Sequence, residues 1–554
     1  MRRRLGSTLD ENEGGSEIEA LKNRVLSLKT QLQTEGRQHS PLNAHSCSSV
    51  NPETAASGEA PADQSLAETP ASRSNHEAME NEVAYLSLSA MAEQTDSRPF
   101  SAEGLSYLSM LYAATGVSGS DPTLPLDTNA CLMGPLAELR PYKTSDIDLS
   151  SPEMQTSFQD YIDMIRESFP YITTSEISRC YTSTVTNPQE DHTEDLATEN
   201  QALVYLGTAT GLLLGSHYEY KELLATELAV KAVRLMQKIM NDAGQLSFVR
   251  CLTALTIFSM YTTFGGSTWH LLGLTTTRCI SAGMHTSRLS NPQSGNYEQR
   301  QSNRLLWTLY IIDTYVSMTL DRPFCLNDRD IMVSHPPSPL PSSNATEADI
   351  EGATFRYLIQ YAQIIRSIRQ TPVPDTGILC HFINIHHWKE IVTSQGRLSP
   401  QRSTSLCTRG YVEILKNVAL YNEPERGDVL AQATCEFSTH LDQLEEQLNS
   451  HSGAVASLDA FNVFAIGVIL GVSQFSTSSD NFKQSIVGKL FQVQNILTLL
   501  SARYSTIRKH RDIISELQRS AYRSGSGSQL HELVARSDLA IPYQLQRLCT
   551  MHLS

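Results

Sequence analysis

The chain has 554 residues, 40% of them hydrophobic and 18% charged, which is ample apolar content for one large core or two domains. Its formal net charge of -16 argues against broad binding to nucleic-acid backbones, since proteins that grip phosphates present a basic face. A small basic module on an acidic body stays compatible with that balance.

The chain opens on a basic, flexible tip, residues 1–16, with Arg2, Arg3 and Arg4 in a row. These are candidate phosphate contacts, but such contacts position a protein without reading bases. A solvated or nuclear-import-like tip fits them as well. No apolar run follows, so no signal peptide is visible. Across 17–34, Ile18, Leu21, Val25, Leu28 and Leu32 alternate steps of three and four. That is the a/d seam along which two helices bury a shared stripe, and the segment is expected to be a short dimerising coiled coil. Little more than two heptads long, it is marginal in isolation; docking on its own body is the competing reading.

Residues 35–153 are expected to be a largely disordered linker with short helices. Ser, Ala, Glu, Gln, Thr and Pro dominate up to about residue 80, too little apolar surface to offset ordering entropy. "NEVAYLSLSAMAEQ" and "GLSYLSMLYAA" read as the short helices. From 154 the texture changes. "MQTSFQDYIDMIRESFP" is amphipathic and ends at Pro170. Apolar periodicity then marks helices at 197–215, 217–240, 245–263, 267–284 and 297–320, with breaks such as "NDAG" and "SNPQSGN". Further helices are expected at 353–369, 378–395, 404–421, 429–449, 455–476, 481–503 and 505–522, and a last one at 530–549. The longest apolar stretch, "FNVFAIGVILGVSQF" at 461–475, is too short to span a bilayer and suits a buried helix. No strand alternation or fixed repeat appears, so the expected fold class is all-α.

Chemistry-bearing patterns are sparse. Ten cysteines stand singly at 47, 131, 180, 251, 279, 325, 380, 407, 435 and 549. None forms a C-x-x-C pair, so a compact zinc site has no ligand set, and the spacing reads as reduced intracellular thiols. In "CHFINIHHW", His381 and His386 are too far apart along a helix to share a face as i,i+4 ligands, so no metal site is assigned. Phosphate loops, G-x-S-x-G, H-E-x-x-H and dinucleotide glycines are all absent from the sequence. No catalytic residue, cofactor or membrane span is assigned, and a non-enzyme is expected.

One stretch stands out: "RQSNRLLWTLYIIDTYVSMTLDRPFCLNDRDIMVSHPP", residues 300–337. Leu305, Leu309, Ile312, Val316 and Leu320 make one apolar stripe. Trp307, Tyr310, Ile311 and Tyr315 add bulk on other sides, so the helix is expected to be buried nearly all round. Asp313 sits inside it, where a carboxylate needs a partner; Arg322 or Arg304 is the expected one. Pro323 ends the helix, and "NDRDIMVSHPP" reads as extended. This stretch resembles the regulatory middle domain of fungal binuclear zinc-cluster transcription factors. Arg304, Leu305, Leu306, Trp307, Leu309, Tyr310, Asp313, Arg322, Pro323, Asp328, Asp330, Ile331 and Val333 match the family pattern. Asp321 stands where Gly is usual, and Met332 where Asp is usual. Upstream, "STWHLLGLTTTRCISAGMHTSRL" is similar to a second family helix through Trp269, Leu272, Gly273, Arg278, Ala282, Gly283 and His285. His285 reads as packing or capping.

The resemblance covers roughly 155–400. It implies a regulatory domain at 154–400 with 401–554 as the C-terminal helical part of the same body. It implies a nuclear fungal transcription regulator of a specific gene set, with a secondary-metabolite biosynthetic gene cluster as one candidate. In that family six cysteines hold two zinc ions ahead of a basic linker and a short coiled coil, so that dimers read paired half-sites. Here the seam at 18–32 resembles that coiled coil, and the cluster is absent from the chain as written. DNA is then reached only through a missing module or through a partner. The expected partners are a second copy or a related regulator, and a small-molecule effector. Two alternatives stay open: a zinc-less co-regulator that dimerises with a DNA-binding relative, and a helical small-molecule-binding protein unrelated to transcription.

Overall fold

A serine opens the first helix of the described chain. In α1 (Pro152–Ser168), Ser151 accepts a hydrogen bond from the Met154 N–H at 3.4 Å, and Pro152 sits in the first turn, where its missing N–H is no loss. The computed structural model describes residues 147–186, 194–215, 218–242, 245–262, 268–286, 296–336, 347–370, 378–418, 426–450, 455–476, 480–504 and 507–522. The basic tip with Arg2, Arg3 and Arg4, the seam Ile18, Leu21, Val25, Leu28 and Leu32, the arm as far as 146, and the expected helix at 530–549 lie outside the described residues. Among the described residues the protein is all-α: fourteen α-helices, one short 3-10 turn and no strand.

α2 (Thr174–Thr186) occupies a stretch that periodicity leaves unassigned. Its start carries a Thr-x-x-Glu spacing, and the Thr173 hydroxyl accepts from the Glu176 N–H at 3.3 Å. Ser178, Thr182, Ser183 and Thr184 donate their hydroxyls to carbonyls three or four residues back. A loop-like composition is thereby satisfied on the helix itself.

α3 (Glu194–Leu214) packs against α1, α2, α4 (Tyr218–Asp242) and α5 (Gln245–Ser259). It meets α1 backbone to backbone: a Cβ on Gly211 would lie 1.7 Å from the Ser157 carbonyl oxygen. α5 is buried at every residue from Phe248 to Ser259. Its one cation, Arg250, lies 2.8 Å from Glu199 and 3.4 Å from Glu176.

α6 (Thr268–Ser281) and α7 (Asn296–Thr319) carry the two family-like stretches, and α8 (Glu347–Gln370) packs on α7. α7 is buried nearly all round, as its composition predicts: from Leu305 to Thr314 every residue is buried. Both α6 and α7 end in the same hydrogen-bonded cap. After α6, Gly283 (φ 73) is left-handed, and the Met284 N–H reaches the Cys279 carbonyl at 3.2 Å. After α7, Asp321 takes that place with φ 52, and the Arg322 N–H donates to the Ser317 carbonyl at 2.8 Å. The family's usual glycine at Asp321 therefore has a conformational reason. The segment beyond is not wholly extended: Asp328–Asp330 form the 3-10 turn, capped by Asn327, whose side chain accepts from the Arg329 N–H.

The chain continues through α9 (Ile378–Ser394), α10 (Pro400–Val418), α11 (Arg426–Asn449), α12 (Ser457–Ser476), α13 (Asp480–Arg503) and α14 (Arg508–Tyr522). α10 starts at Pro400 rather than 404, because Pro is favoured in a first turn and Ser399 caps it through the Arg402 N–H at 3.3 Å. α8 likewise starts at Glu347, ahead of the expected 353. The long apolar stretch is α12, buried among α7, α10, α11, α13 and α14. Among the described residues no helix is long and apolar enough to cross a membrane. One hydrophobic core runs from Met154 to Leu517.

Candidate functional site

The family-like residues converge on α7, and buried charge organises them. Asp313 is fully buried, and its carboxylate accepts four hydrogen bonds. Oδ1 receives the Ser317 hydroxyl and the Cys325 N–H, each at 3.0 Å; Oδ2 receives the Leu326 N–H at 3.0 Å and Arg366 Nη2 at 2.7 Å. The partner of Asp313 is thus Arg366 on α8, and neither of the expected arginines. Arg322 lies past the left-handed Asp321, so its guanidinium swings out over the Trp269 ring at 5.7 Å. Arg304, more than two turns N-terminal to Asp313, pairs with Glu351 at 2.7 Å and also donates to the Pro170 carbonyl at 3.1 Å.

Arg366 is fully buried and spends all five of its N–H donors. Nε donates to the Thr314 hydroxyl oxygen at 2.7 Å. Nη1 donates to the Leu326 carbonyl at 2.6 Å and to Asp328 at 3.2 Å; Nη2 donates to Asp313 and, at 3.4 Å, to the Tyr310 carbonyl. The guanidinium is sandwiched between the Tyr310 ring at 3.8 Å and the Phe324 ring at 4.3 Å, two cation–π contacts in a water-poor setting. A buried ion pair is stabilising only when its remaining donors and acceptors are met, and here they are. One turn on, Arg369 binds Asp321 at 2.9 Å and the carbonyls of Ser317 and Arg322, placing a cation at the negative end of α7.

Trp307 holds the far end of the same segment. Its indole N–H donates to the Ser334 carbonyl at 3.1 Å, and its ring stacks on His335 at 4.6 Å and meets Tyr310 edge-on. His285 acts through its backbone: its carbonyl accepts from the Met332 N–H at 2.9 Å, tying the end of α6 to the same strip. Pro323 closes α7, and its carbonyl oxygen lies 3.1 Å from the Ser317 hydroxyl, sharing with Asp313 its one proton. Asp330 is exposed in the 3-10 turn, and a Cβ on Gly273 would meet open space. Trp269 and Trp307 stand on adjoining helices, α6 and α7. The network gathers Tyr310, Asp313, Trp307 and Pro323 around residues 321–335, with Arg304 one layer away on Glu351.

Behind α7 lies a cavity of about 40 Å³. Ile311, Tyr315 and Met318 of α7, Leu358 of α8, Arg402 and Arg409 of α10, and Asn462 of α12 line it. Arg409 pairs with Asp459 and lies 4.2 Å over the Tyr315 ring. Burial opposes its charge, but Tyr315 and Asp459 outweigh that and hold its pKa above the usual arginine value. Burial, then the neighbouring Arg409 charge, pushes Arg402 the other way. Glu413, which pairs with Lys416 at 2.5 Å, is raised by burial against the opposing pull of that lysine.

Sequence reasoning did not nominate Arg366, Arg369, Glu351, Arg402 or Arg409. Among the described residues no three His, Cys, Asp or Glu side chains gather as a metal-binding set. His386 lies on α9 beside Glu390 at 3.4 Å. Residues 159–370, from within α1 to the last residue of α8, match the profile described as the fungal specific transcription factor domain. No curated protein matches the chain.

Proposed function

We propose that this chain, which carries a fungal specific transcription factor domain at residues 159–370, acts in the nucleus as a transcription regulator of a defined gene set, with its helical body as the regulatory part. The observation that supports the reading is the domain match, whose span contains the whole Asp313–Arg366 network. A secondary-metabolite gene cluster is one candidate target set. In this reading the seam Ile18, Leu21, Val25, Leu28 and Leu32 pairs the chain with a second copy or with a related regulator. DNA is reached through a zinc module belonging to that assembly, and the helical body itself performs no catalysis and uses no cofactor.

The test is made in the native fungus with the full chain tagged. Deletion of the gene should change a coherent set of transcripts, and the tagged protein should occupy the promoters of that set. Leu21→Pro with Leu28→Pro should abolish both co-precipitation of the partner and promoter occupancy. Unchanged transcripts on deletion, together with no promoter occupancy, would overturn the proposal in favour of a helical binding protein unrelated to transcription.

A further inference from the structure

Of the charged side chains lining the cavity behind α7, Arg402 stands without an ion pair among the described residues. Arg409 is matched by Asp459, and Glu413 by Lys416. Arg402 makes no ion pair and no side-chain hydrogen bond with any described residue. The orphaned buried polar atoms of the lining are Arg402 Nε, Arg409 Nε and Asn462 Nδ2, and all three are donors. Three lining hydroxyls are committed elsewhere: Thr314 donates to the Tyr310 carbonyl at 2.7 Å, Tyr315 to Asp459 at 3.2 Å, and Tyr361 to the Leu406 carbonyl at 2.6 Å. A guanidinium does not shed its proton, so the site keeps its charge. Arg402 is half-buried, and its Nε, enclosed on the cavity side, is left without an acceptor.

We propose that this cavity binds a small monocarboxylate, with its carboxylate on Arg402 and Asn462 and its short apolar chain against Ile311, Met318 and Leu358. One excess charge calls for a monoanion; a phosphate or dicarboxylate would bury a second, unmatched charge. A planar carboxylate also suits the fork of an arginine. The volume, about 40 Å³, has room for roughly three waters, which selects a chain of a few carbons. Arg402, Arg409 and Asn462 lie beyond residue 370, so this site belongs to the junction between the domain and the C-terminal helices. It stands on geometry and does not require that the chain act on genes.

Calorimetric titration of the purified full chain with acetate, butyrate, hexanoate and butyramide, at matched ionic strength, decides the matter. Butyrate should bind at one site, and butyramide about ten- to a hundredfold more weakly, the ratio for losing a charged hydrogen bond. Arg402→Met should weaken butyrate by a similar factor, and Arg402→Lys should restore part of it. Equal binding of butyrate and butyramide, unchanged binding in Arg402→Met, or no binding by any acid of the series would overturn the assignment. The acid–amide comparison uses the unaltered chain, so it holds even where Arg402→Met fails to fold. No transcript is read, so a failure here and a failure of the regulatory role are separate results.

Discussion

Arg366→Met is the sharpest perturbation of the motif network. It removes a 2.7 Å charge pair and all five donors of a fully buried guanidinium. Asp313 keeps three partners, the Ser317 hydroxyl and the Cys325 and Leu326 N–H groups, yet its charge becomes uncompensated in a dry site. Removing one member of a buried pair costs about 3–5 kcal/mol, a large fraction of the roughly 5–15 kcal/mol that stabilises a domain. Arg366→Lys should lose nearly as much, since one ammonium cannot span Thr314, Leu326, Asp328 and Asp313 while lying flat between Tyr310 and Phe324. Asp313→Asn strands the arginine instead and should cost a similar amount. The double variant should fall short of the summed losses by at least about 2 kcal/mol, because the second change removes a charge already orphaned. Urea unfolding followed by fluorescence of Trp307, which packs edge-on against Tyr310, measures all four variants. Single losses below about 1 kcal/mol, or losses that simply add, would refute the account.

Gly211→Ala should destabilise by about 3 kcal/mol, the upper end for overpacking, since the new methyl meets the Ser157 backbone carbonyl and not a side chain able to move; the same unfolding assay reads it, and a neutral result would mean that α1 and α3 part easily. Asp321→Gly and Asp321→Ala both lose the Arg369 ion pair, but only Ala keeps the left-handed strain, so Gly should be more stable than Ala by about 1 kcal/mol. His440, buried and near Arg409, has its pKa lowered to about 4, first by burial and then by that charge. The unfolded chain then takes up the proton near 6.5, before the folded one, so stability is unaffected above that pH, falls as pH drops from about 6.5 to 4, and levels off below. At pH 5 the loss is 1.36 × 1.5, or about 2 kcal/mol. His440→Gln should remove that portion of the pH dependence. Glu413, raised by burial, has the opposite trend but is present in both proteins and cancels from the comparison.

Periodicity made α7 and α12 legible, because both are long and bury nearly every side. The burial of Asp313 was legible for the same reason; its partner was not. Local reading nominates Arg304 and Arg322, whereas the real partner is 53 residues on in another helix. A signal existed within α8: Arg366 follows Leu358, Ala362 and Ile365 on the apolar stripe, so its spacing puts a cation on the buried face. The cavity has the same kind of signature. Arg402, Leu406, Arg409 and Glu413 advance by four, three and four, the arithmetic of the seam at 18–32, but with charges where a seam carries leucines. Starting α10 at 404 leaves Arg402 outside the helix and hides that stripe. α2 was missed because serine and threonine composition suggests a loop until their hydroxyls are seen to bond back onto the helix.

α7 joins the two sites through adjacent residues. Asp313 grips Arg366 and the 325–326 backbone on one side; Tyr315, two residues on, lies against Arg409 and bonds Asp459 on the other. Between them Thr314 belongs to both: it lines the cavity, accepts the Arg366 Nε–H at 2.7 Å and donates to the Tyr310 carbonyl at 2.7 Å. A core packed this closely does not yield on one face of a helix without the other being felt. An anion held by Arg402 and Asn462 therefore acts on the helix whose opposite face holds residues 321–335 in place. Linkage is reciprocal, so whatever free energy such a ligand lends to that arrangement of α7, the intact Asp313–Arg366 pair returns to the ligand as affinity.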